Sequence, residues 1–304
     1  MKVLVPNVPL RRELGTLPAG VELVDRVDPE VEVMVVAPEL GDEVDALLPK
    51  LPALRLIQAF SAGVDSLLPL VPSGVVLCRA VGVHDGSVAE WVVAAILAME
   101  RRLPEFLRAQ AQARWDRAIA EPEGGASSTV RDLEQMVVLV VGHGSIGRAL
   151  AARLEPFGAR VVGVARHSRD GAQGLEALAR LLSEADVVVD LLPLTPETER
   201  FVDASFLAQM KRGALFVNAG RGRTVDTSAL LEALEAHRVR AALDVTDPEP
   251  LPPDHPLWRA PNVLITPHIA GTVARWEERA YRFAGEQIRR YAAGLPLVGI
   301  VERS

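Results

Sequence analysis

The stretch VVLVVGHGSIGRALAARL, Val137 to Leu154, decides the fold. Five consecutive apolar residues, Val137–Val141, read as a strand buried on both faces. Gly142, Gly144 and Gly147 follow in the spacing G-x-G-x-x-G, and the pattern over Ser145–Phe157 is an amphipathic helix. On its own this glycine spacing is weak, but between a buried strand and a helix it has the context of a dinucleotide-binding turn. Gly142 permits the tight turn, Gly144 lets a pyrophosphate approach the backbone, and Gly147 lets helix and strand pack closely. The helix N-terminus at Ser145 and Ile146 offers unbonded N–H groups to phosphate. The alternative is a strand–turn–helix junction with no ligand.

Working outward, similar apolar bursts recur near Val3–Val5, Glu32–Val36, Leu54–Gln58 and Val75–Leu77, and again near Val161–Ala165, Val187–Leu191, Leu215–Val217, Ala241–Val245 and Val263–Ile265. Helical patterns lie between them at Leu175–Glu184 and Thr227–His237. Strands alternating with helices predict an α/β chain with parallel sheets. Ser87–Arg102 is apolar nearly all round and opens with Ser87-x-x-Glu90, a capping-box pattern. Thr272–Ala293 carries one amphipathic stripe through Trp276, Ala280, Phe283, Gln287 and Tyr291. Two α/β sets on either side of the apolar helix place a domain boundary near residue 95.

Composition narrows the chemistry. The 304 residues suggest two domains, and the formal charge of −7 gives no overall basic footprint for nucleic acid or anionic membrane. Cys78 is the only cysteine, so neither an intrachain disulfide nor a cysteine metal cluster is expected. The longest apolar run, Trp91–Met99, has nine residues against the about 20 of a spanning helix. With no signal-peptide pattern after Lys2, a cytoplasmic location is the expectation.

An NAD site places an acid about 20 residues after the glycine turn, at the tip of the next strand. Here the strand ending at Ala165 runs into Arg166-His167-Ser168-Arg169, and Asp170 comes late. Arg166, Ser168 and Arg169 suit a 2′-phosphate, so NADP is preferred, with NAD possible. Hydride transfer to a carbonyl also needs a proton donor, a partner for that donor and a cation for an anionic substrate. Of six histidines, His268 alone follows a strand end suited to ligand binding, in TPHIAG. Two other strand ends supply Arg221, in NAGRG, and Glu249, in TDPEP. Arg223 is the competing cation.

With those residues assembled, the chain resembles the D-isomer-specific 2-hydroxyacid dehydrogenase family, and its glyoxylate/hydroxypyruvate reductase-like members in particular. The resemblance runs from about residue 58 to 272. Its motifs are Gly63–Asp65 (GVD), Val88–Trp91 (VAEW), Gly142–Gly147, Leu192–Thr198 (LPLTPET), Val217–Asp226 (VNAGRGRTVD), Leu243–Trp258 and Thr266–Gly271. Many family members have Phe where this chain has Thr246, and Thr at that position resembles the glyoxylate/hydroxypyruvate reductase branch.

The resemblance implies two doubly wound parallel-sheet domains of Rossmann/flavodoxin-like type with the active site in the cleft between them. Residues 1–94 and 273–304 would form the substrate domain, and 95–272 the inserted cofactor domain. It implies Arg221, Glu249 and His268 as catalytic residues. Ala62 and Gly63, with Arg221 and His268, would bind the substrate. Leu192, Pro193, Thr195, Asn218, Ala219 and Gly220 would line the cofactor, and Asp244 would meet the nicotinamide carboxamide.

The implied reaction reduces a small 2-oxo acid to the D-2-hydroxy acid, in a homodimer formed through the cofactor domain, with Trp115 as a residue that could reach a partner subunit. No metal is called for. The alternatives are a phosphoglycerate dehydrogenase-like activity, a formate-dehydrogenase-like hydride enzyme, which the ionisable Glu249 disfavours, and a non-catalytic nucleotide sensor like the corepressors that share this fold.

Overall fold

A computed structural model describes residues 1–6, 8–37, 40, 43–121, 128–168 and 171–302. The strands are β1 (Lys2–Leu4), β2 (Glu22–Val24), β3 (Val31–Val36), β4 (Leu56–Ala59), β5 (Val76–Cys78), β6 (Val137–Val141), β7 (Arg160–Val164), β8 (Val187–Asp190), β9 (Ala214–Asn218), β10 (Val239–Leu243) and β11 (Val263–Ile265). The α-helices are α1 (Val44–Leu47), α2 (Asp85–Glu100), α3 (Leu103–Ala111), α4 (Ser145–Leu154), α5 (Leu178–Glu184), α6 (Ala204–Gln209), α7 (Thr227–Glu235) and α8 (Trp276–Ala292).

The chain divides into two compact units, Met1–Asp85 with Val273–Ser304, and Gly86–Thr272. The first holds a parallel sheet of order β2-β1-β3-β4-β5. Val3, Val33, Val35 and Leu56 pack on one face against Ala280, Tyr281, Ala284 and Ile288 of α8. Leu4, Met34, Ile57 and Leu77 pack on the other, against Val44 of α1 and Leu48. The second unit holds a parallel sheet of order β11-β10-β9-β8-β6-β7. Its strands also alternate between two cores. Leu139, Val188, Phe216 and Ala241 face Leu181, Phe206 and Leu230 of α5, α6 and α7. Val138, Val140, Val189 and Leu215 face Val92 and Ile96 of α2 and Leu150 of α4. Burial on both faces is why these strands read as unbroken apolar bursts.

The ten expected strands all form, with ends that match or shift by one or two residues. β2 had no apolar signal because it is an edge strand with no fully buried side chain. α6 went unread for its shortness; the Asp203 carboxylate caps it by accepting from the Phe206 N–H at 2.8 Å. The Ser87 capping box is corrected: α2 already begins at Asp85, so Ser87 is a buried residue inside the helix. The division of the chain falls at Asp85/Gly86, ahead of the 94/95 expected from sequence. Ala89 and Val92, early in α2, already pack with β6 and β8 of the second unit.

α2 ends in a buried charge. Glu100 is 1% exposed; its Oε1 accepts from Arg240 Nη2 at 2.6 Å and its Oε2 from Arg131 Nε at 2.8 Å. A carboxylate at this depth requires such partners.

Candidate active site

In the second sheet, β6 has β7 on one side and β8 on the other, so the strand order reverses there. Ligands of open α/β sheets bind beyond the strand ends at this switch point. The glycine turn follows β6, and Asp190-Leu191-Leu192 closes β8. Gly142 has φ 92°, and a Cβ on it would lie 2.8 Å from the Leu191 carbonyl, so glycine is required on both counts. A Cβ at Gly147 would meet Val140 Cγ1 at 3.2 Å, which measures how closely α4 packs on β6. At Gly144 a Cβ would meet nothing within 4 Å, so the start of α4, with Ser145 and Ile146, is open to a ligand of pyrophosphate size. A Cβ at Gly220 would lie 2.8 Å from the Leu192 carbonyl oxygen. These residues fit a dinucleotide: a tight turn, an open approach and a helix N-terminus.

The segment after Leu192 holds itself in shape. Thr198 Oγ1 donates to the Pro193 carbonyl at 2.6 Å and accepts from the Thr195 N–H at 2.8 Å. Thr195 Oγ1 donates to Glu197 at 2.8 Å, which with the neighbouring charge of Arg166 holds the Glu197 carboxyl below its usual range. Arg166 and Ser168 follow β7 and are exposed; Ser168 Oγ donates to the Ala172 carbonyl at 3.1 Å. Arg169, the other expected 2′-phosphate contact, lies outside the described residues, as does Asp170.

The three residues expected to carry the chemistry follow three adjacent strands, β9, β10 and β11. Arg221 follows β9 on a turn that the sequence builds from its own polar atoms. Asn218 Nδ2 donates to the Arg221 carbonyl at 3.0 Å, and Asn218 Oδ1 accepts from the Gly220 N–H at 2.9 Å. Arg221 is half-buried, and its Nη1 donates to the Gly220 carbonyl at 2.8 Å. Arg223 is exposed and paired with Glu199 at 2.6 Å, which separates the two competing cations. Ala219 is half-buried between Asn218 and Gly220.

His268 follows β11, and its Nδ1 lies 2.5 Å from Glu249 Oε1. The pair keeps solvent access, with side chains 48% and 39% exposed. His268 has φ 53°, held by its N–H donating to the Asp244 carbonyl at 2.7 Å. A non-glycine residue in this region carries backbone strain, and such residues gather at functional sites. The buried Asp244 carboxylate organises the same loop. It accepts from Thr266 Oγ1 at 2.6 Å and from the Ile269 and Ala270 N–H groups, both at 2.9 Å. Asn218 and Asp244 thus hold the arginine and histidine loops.

Ala62 and Gly63 belong to the first unit, just beyond β4, where the Ala80 N–H donates to the Ser61 carbonyl at 2.9 Å. Sequence reasoning passed over Asp190 and Thr224, both buried beneath Arg221. A carboxylate closing the otherwise apolar strand Val187-Val188-Val189-Asp190 is the signal that could have found them. No group of His, Cys, Asp and Glu able to hold a metal ion occurs among the described residues.

Comparison with known proteins places this geometry. Residues 93–270 match the family model for the D-isomer specific 2-hydroxyacid dehydrogenase, NAD binding domain. A glyoxylate/hydroxypyruvate reductase B from Escherichia fergusonii is 36% identical over 261 residues, covering 83% of this chain and 78% of that protein. The crystal structure of a D-isomer specific 2-hydroxyacid dehydrogenase from Xanthobacter autotrophicus, in complex with NADPH and MES, superposes with a TM-score of 0.82 at 31% identity, over 99% of this chain and 97% of the other. An NADPH-dependent glyoxylate/hydroxypyruvate reductase from Sinorhizobium meliloti, in complex with NADP and sulfate, gives 0.79 at 28% identity, again over 99% and 97%. The chain belongs to the D-isomer specific 2-hydroxyacid dehydrogenase family.

Proposed function

We propose that this protein is an NADPH-dependent reductase of small 2-oxo acids of the glyoxylate or hydroxypyruvate type, forming the D-2-hydroxy acid. The observation that carries the reading is the His268–Glu249 contact, presented with Arg221 at three adjacent strand ends. The NADP-bound and NADPH-bound relatives support the cofactor. Gly142, Gly144, Ser145, Ile146 and Gly147 hold its pyrophosphate. Arg166, Ser168 and Arg169 hold the 2′-phosphate, with Arg166 exposed at the tip of β7. Leu192, Pro193, Thr195, Asn218, Ala219 and Gly220 would line its course, and Asp244 would meet the nicotinamide carboxamide.

When bound, the nicotinamide supplies the hydride. Arg221 binds the substrate carboxylate and draws electron density toward the carbonyl oxygen. His268 acts as the imidazolium. Because Nδ1 faces Glu249, the Nε2 proton is the one left to give to the substrate oxygen. Glu249 orients the ring and stabilises its charge, and takes no proton itself. In the reverse direction Nε2 takes the hydroxyl proton.

Leu103 and Leu107 of α3 are 47% and 62% exposed, and Trp115 is 95% exposed. Apolar side chains this open in the cofactor-binding unit support a homodimer formed through it. No helix among the described residues is long and apolar enough to cross a membrane, which is compatible with a cytoplasmic enzyme. The test is an absorbance assay crossing NADPH and NADH with glyoxylate, hydroxypyruvate, pyruvate and longer 2-oxo acids. Turnover of the two shortest polar acids with NADPH is expected. No turnover of any of them refutes the reading and favours a nucleotide sensor.

A further inference from the structure

Beneath the arginine turn lies a polar network that the mechanism above does not use. Asp190 is 1% exposed and Thr224 is fully buried. Asp190 Oδ1 accepts from the Leu192 N–H at 2.8 Å. Its Oδ2 lies 2.6 Å from Thr224 Oγ1, and Thr224 Oγ1 lies 2.6 Å from the Arg221 carbonyl oxygen. Both separations are at the short end of O–H···O geometry.

A threonine hydroxyl has one proton to donate. If it goes to Asp190, two lone-pair oxygens face each other across 2.6 Å at Arg221. If it goes to Arg221, the same clash falls between Thr224 and a carboxylate. Two short contacts in series need two protons, and of the three oxygens that make them Asp190 Oδ2 is the one besides Thr224 Oγ1 that can carry a proton. We infer that Asp190 is held as the neutral carboxylic acid, donating to Thr224 while Thr224 donates to the Arg221 carbonyl, and that Asp190 is thereby a positioning residue for Arg221.

The surroundings favour that state. Burial pushes the Asp190 carboxyl up to about 6, against the pull of the Thr224 and Leu192 hydrogen bonds. β6 and β9 place Val141 and Asn218 beside it, neither of them titratable. The glycine turn brings His143, whose ring lies against Gly163. The arginine turn brings Arg221 and Arg223, whose guanidiniums are engaged by the Gly220 carbonyl and Glu199. Beyond the turn, Asp226 caps α7. When the Asp190 proton leaves, the Thr224 proton turns to the new carboxylate. The Arg221 carbonyl then loses the Thr224 hydroxyl, while Asn218 Nδ2 at 3.0 Å and the Thr224 N–H at 3.3 Å stay on it. Arg221 is less firmly placed at higher pH, and the binding of an anionic substrate weakens.

The consequence for binding rests on Arg221 being the substrate cation, so the experiment reads protonation and binding separately. In the full-length protein, the KM for glyoxylate is measured from pH 5.5 to 8 at saturating NADPH, for wild type, Asp190→Asn and Thr224→Val. Loss of one hydrogen bond to the turn predicts a rise of about fivefold in the wild-type KM across this range. Asp190→Asn, whose amide donates to Thr224 at every pH, holds the low-pH KM throughout. Thr224→Val has the raised KM at every pH. Any effect of pH on other groups acts on all three alike. Infrared spectra at pH 5.5 should show a protonated-carboxyl stretch in wild type that Asp190→Asn removes. Parallel KM profiles for wild type and Asp190→Asn, or no such band in wild type, overturn the inference. If Asp190→Asn does not fold, the wild-type band and its pH titration, with the Thr224→Val profile, decide it. If wild type reduces no 2-oxo acid, the functional reading fails, while the infrared band still decides the state of Asp190.

Discussion

Gly222→Ala tests whether the arginine turn and the glutamate loop are set against each other by backbone contact. A Cβ at Gly222 would lie 1.8 Å from the Thr246 carbonyl oxygen and 2.1 Å from its carbon. Comfortable separation is about 3.4 Å, so turn and loop must part by about 1.5 Å. Both neighbours are backbone, and no side chain can swing aside to absorb the strain. Arg221 immediately precedes Gly222, and Thr246 opens the loop carrying Glu249, so the movement shifts Arg221, the proposed substrate cation, relative to the His268–Glu249 pair. Misplacement by about 1 Å can cost a hundredfold in rate. The expected kcat/KM for 2-oxo acid reduction by NADPH is therefore about a hundredfold below wild type. The overpacking itself costs about 1–3 kcal/mol of stability, so the protein stays folded by circular dichroism. A folded Gly222→Ala enzyme within about threefold of wild type would refute the reasoning.

Further expectations follow from the same geometry. His268→Ala and Glu249→Gln should each lower kcat by about a hundredfold or more in steady-state assays, whereas Arg223→Ala, exposed and paired with Glu199, should stay within about twofold while Arg221→Ala does not. Arg166→Ala should raise the KM for NADPH about tenfold and leave that for NADH nearly unchanged, since a charge-assisted contact to the 2′-phosphate is lost. Glu100→Ala strands Arg240 beside a core and should cost about 3–5 kcal/mol in urea unfolding, with part regained by replacing Glu100 and Arg240 together by apolar residues. Asp190 titrates at about 6 in the folded chain against 3.8 when unfolded, so the folded state binds the proton more tightly. Its stabilising effect is complete below the unfolded value and lost as pH rises through about 6, a change of about 3 kcal/mol that should vanish in Asp190→Asn.

What the sequence revealed depended on how locally each feature is encoded. β6, the glycine turn and α4 are continuous in the chain, and apolar period, glycine spacing and helix pattern all act within Val137–Leu154. Arg221, Glu249 and His268 were legible because each follows its own buried strand. Their union needed the sheet order, which no single segment carries. β2 was illegible because an edge strand with half-exposed side chains leaves no apolar run. The start of α2 was misplaced because Ser87-x-x-Glu90 imitates a cap, while the helix begins at Asp85. Asp190 and Thr224, 34 positions apart, meet only because β8 and β9 are neighbours and the turn after β9 folds back over the end of β8.

The backbone contacts at Gly142 and Gly220, both against Leu191–Leu192, divide the cofactor-binding surface into two evolutionary regimes. The three loops that would hold the pyrophosphate and nicotinamide ends touch main chain to main chain. A substitution in any one of them has to be accommodated by the other two. Arg166 and Ser168 stand in solvent, with Ser168 donating to a nearby carbonyl within its own turn. If Arg166 and Ser168 hold the 2′-phosphate as proposed, exchange of preference between NADPH and NADH is open to single substitutions at the tip of β7, away from those backbone contacts. A lineage, or an engineer, can change the electron donor there while inheriting the catalytic apparatus intact.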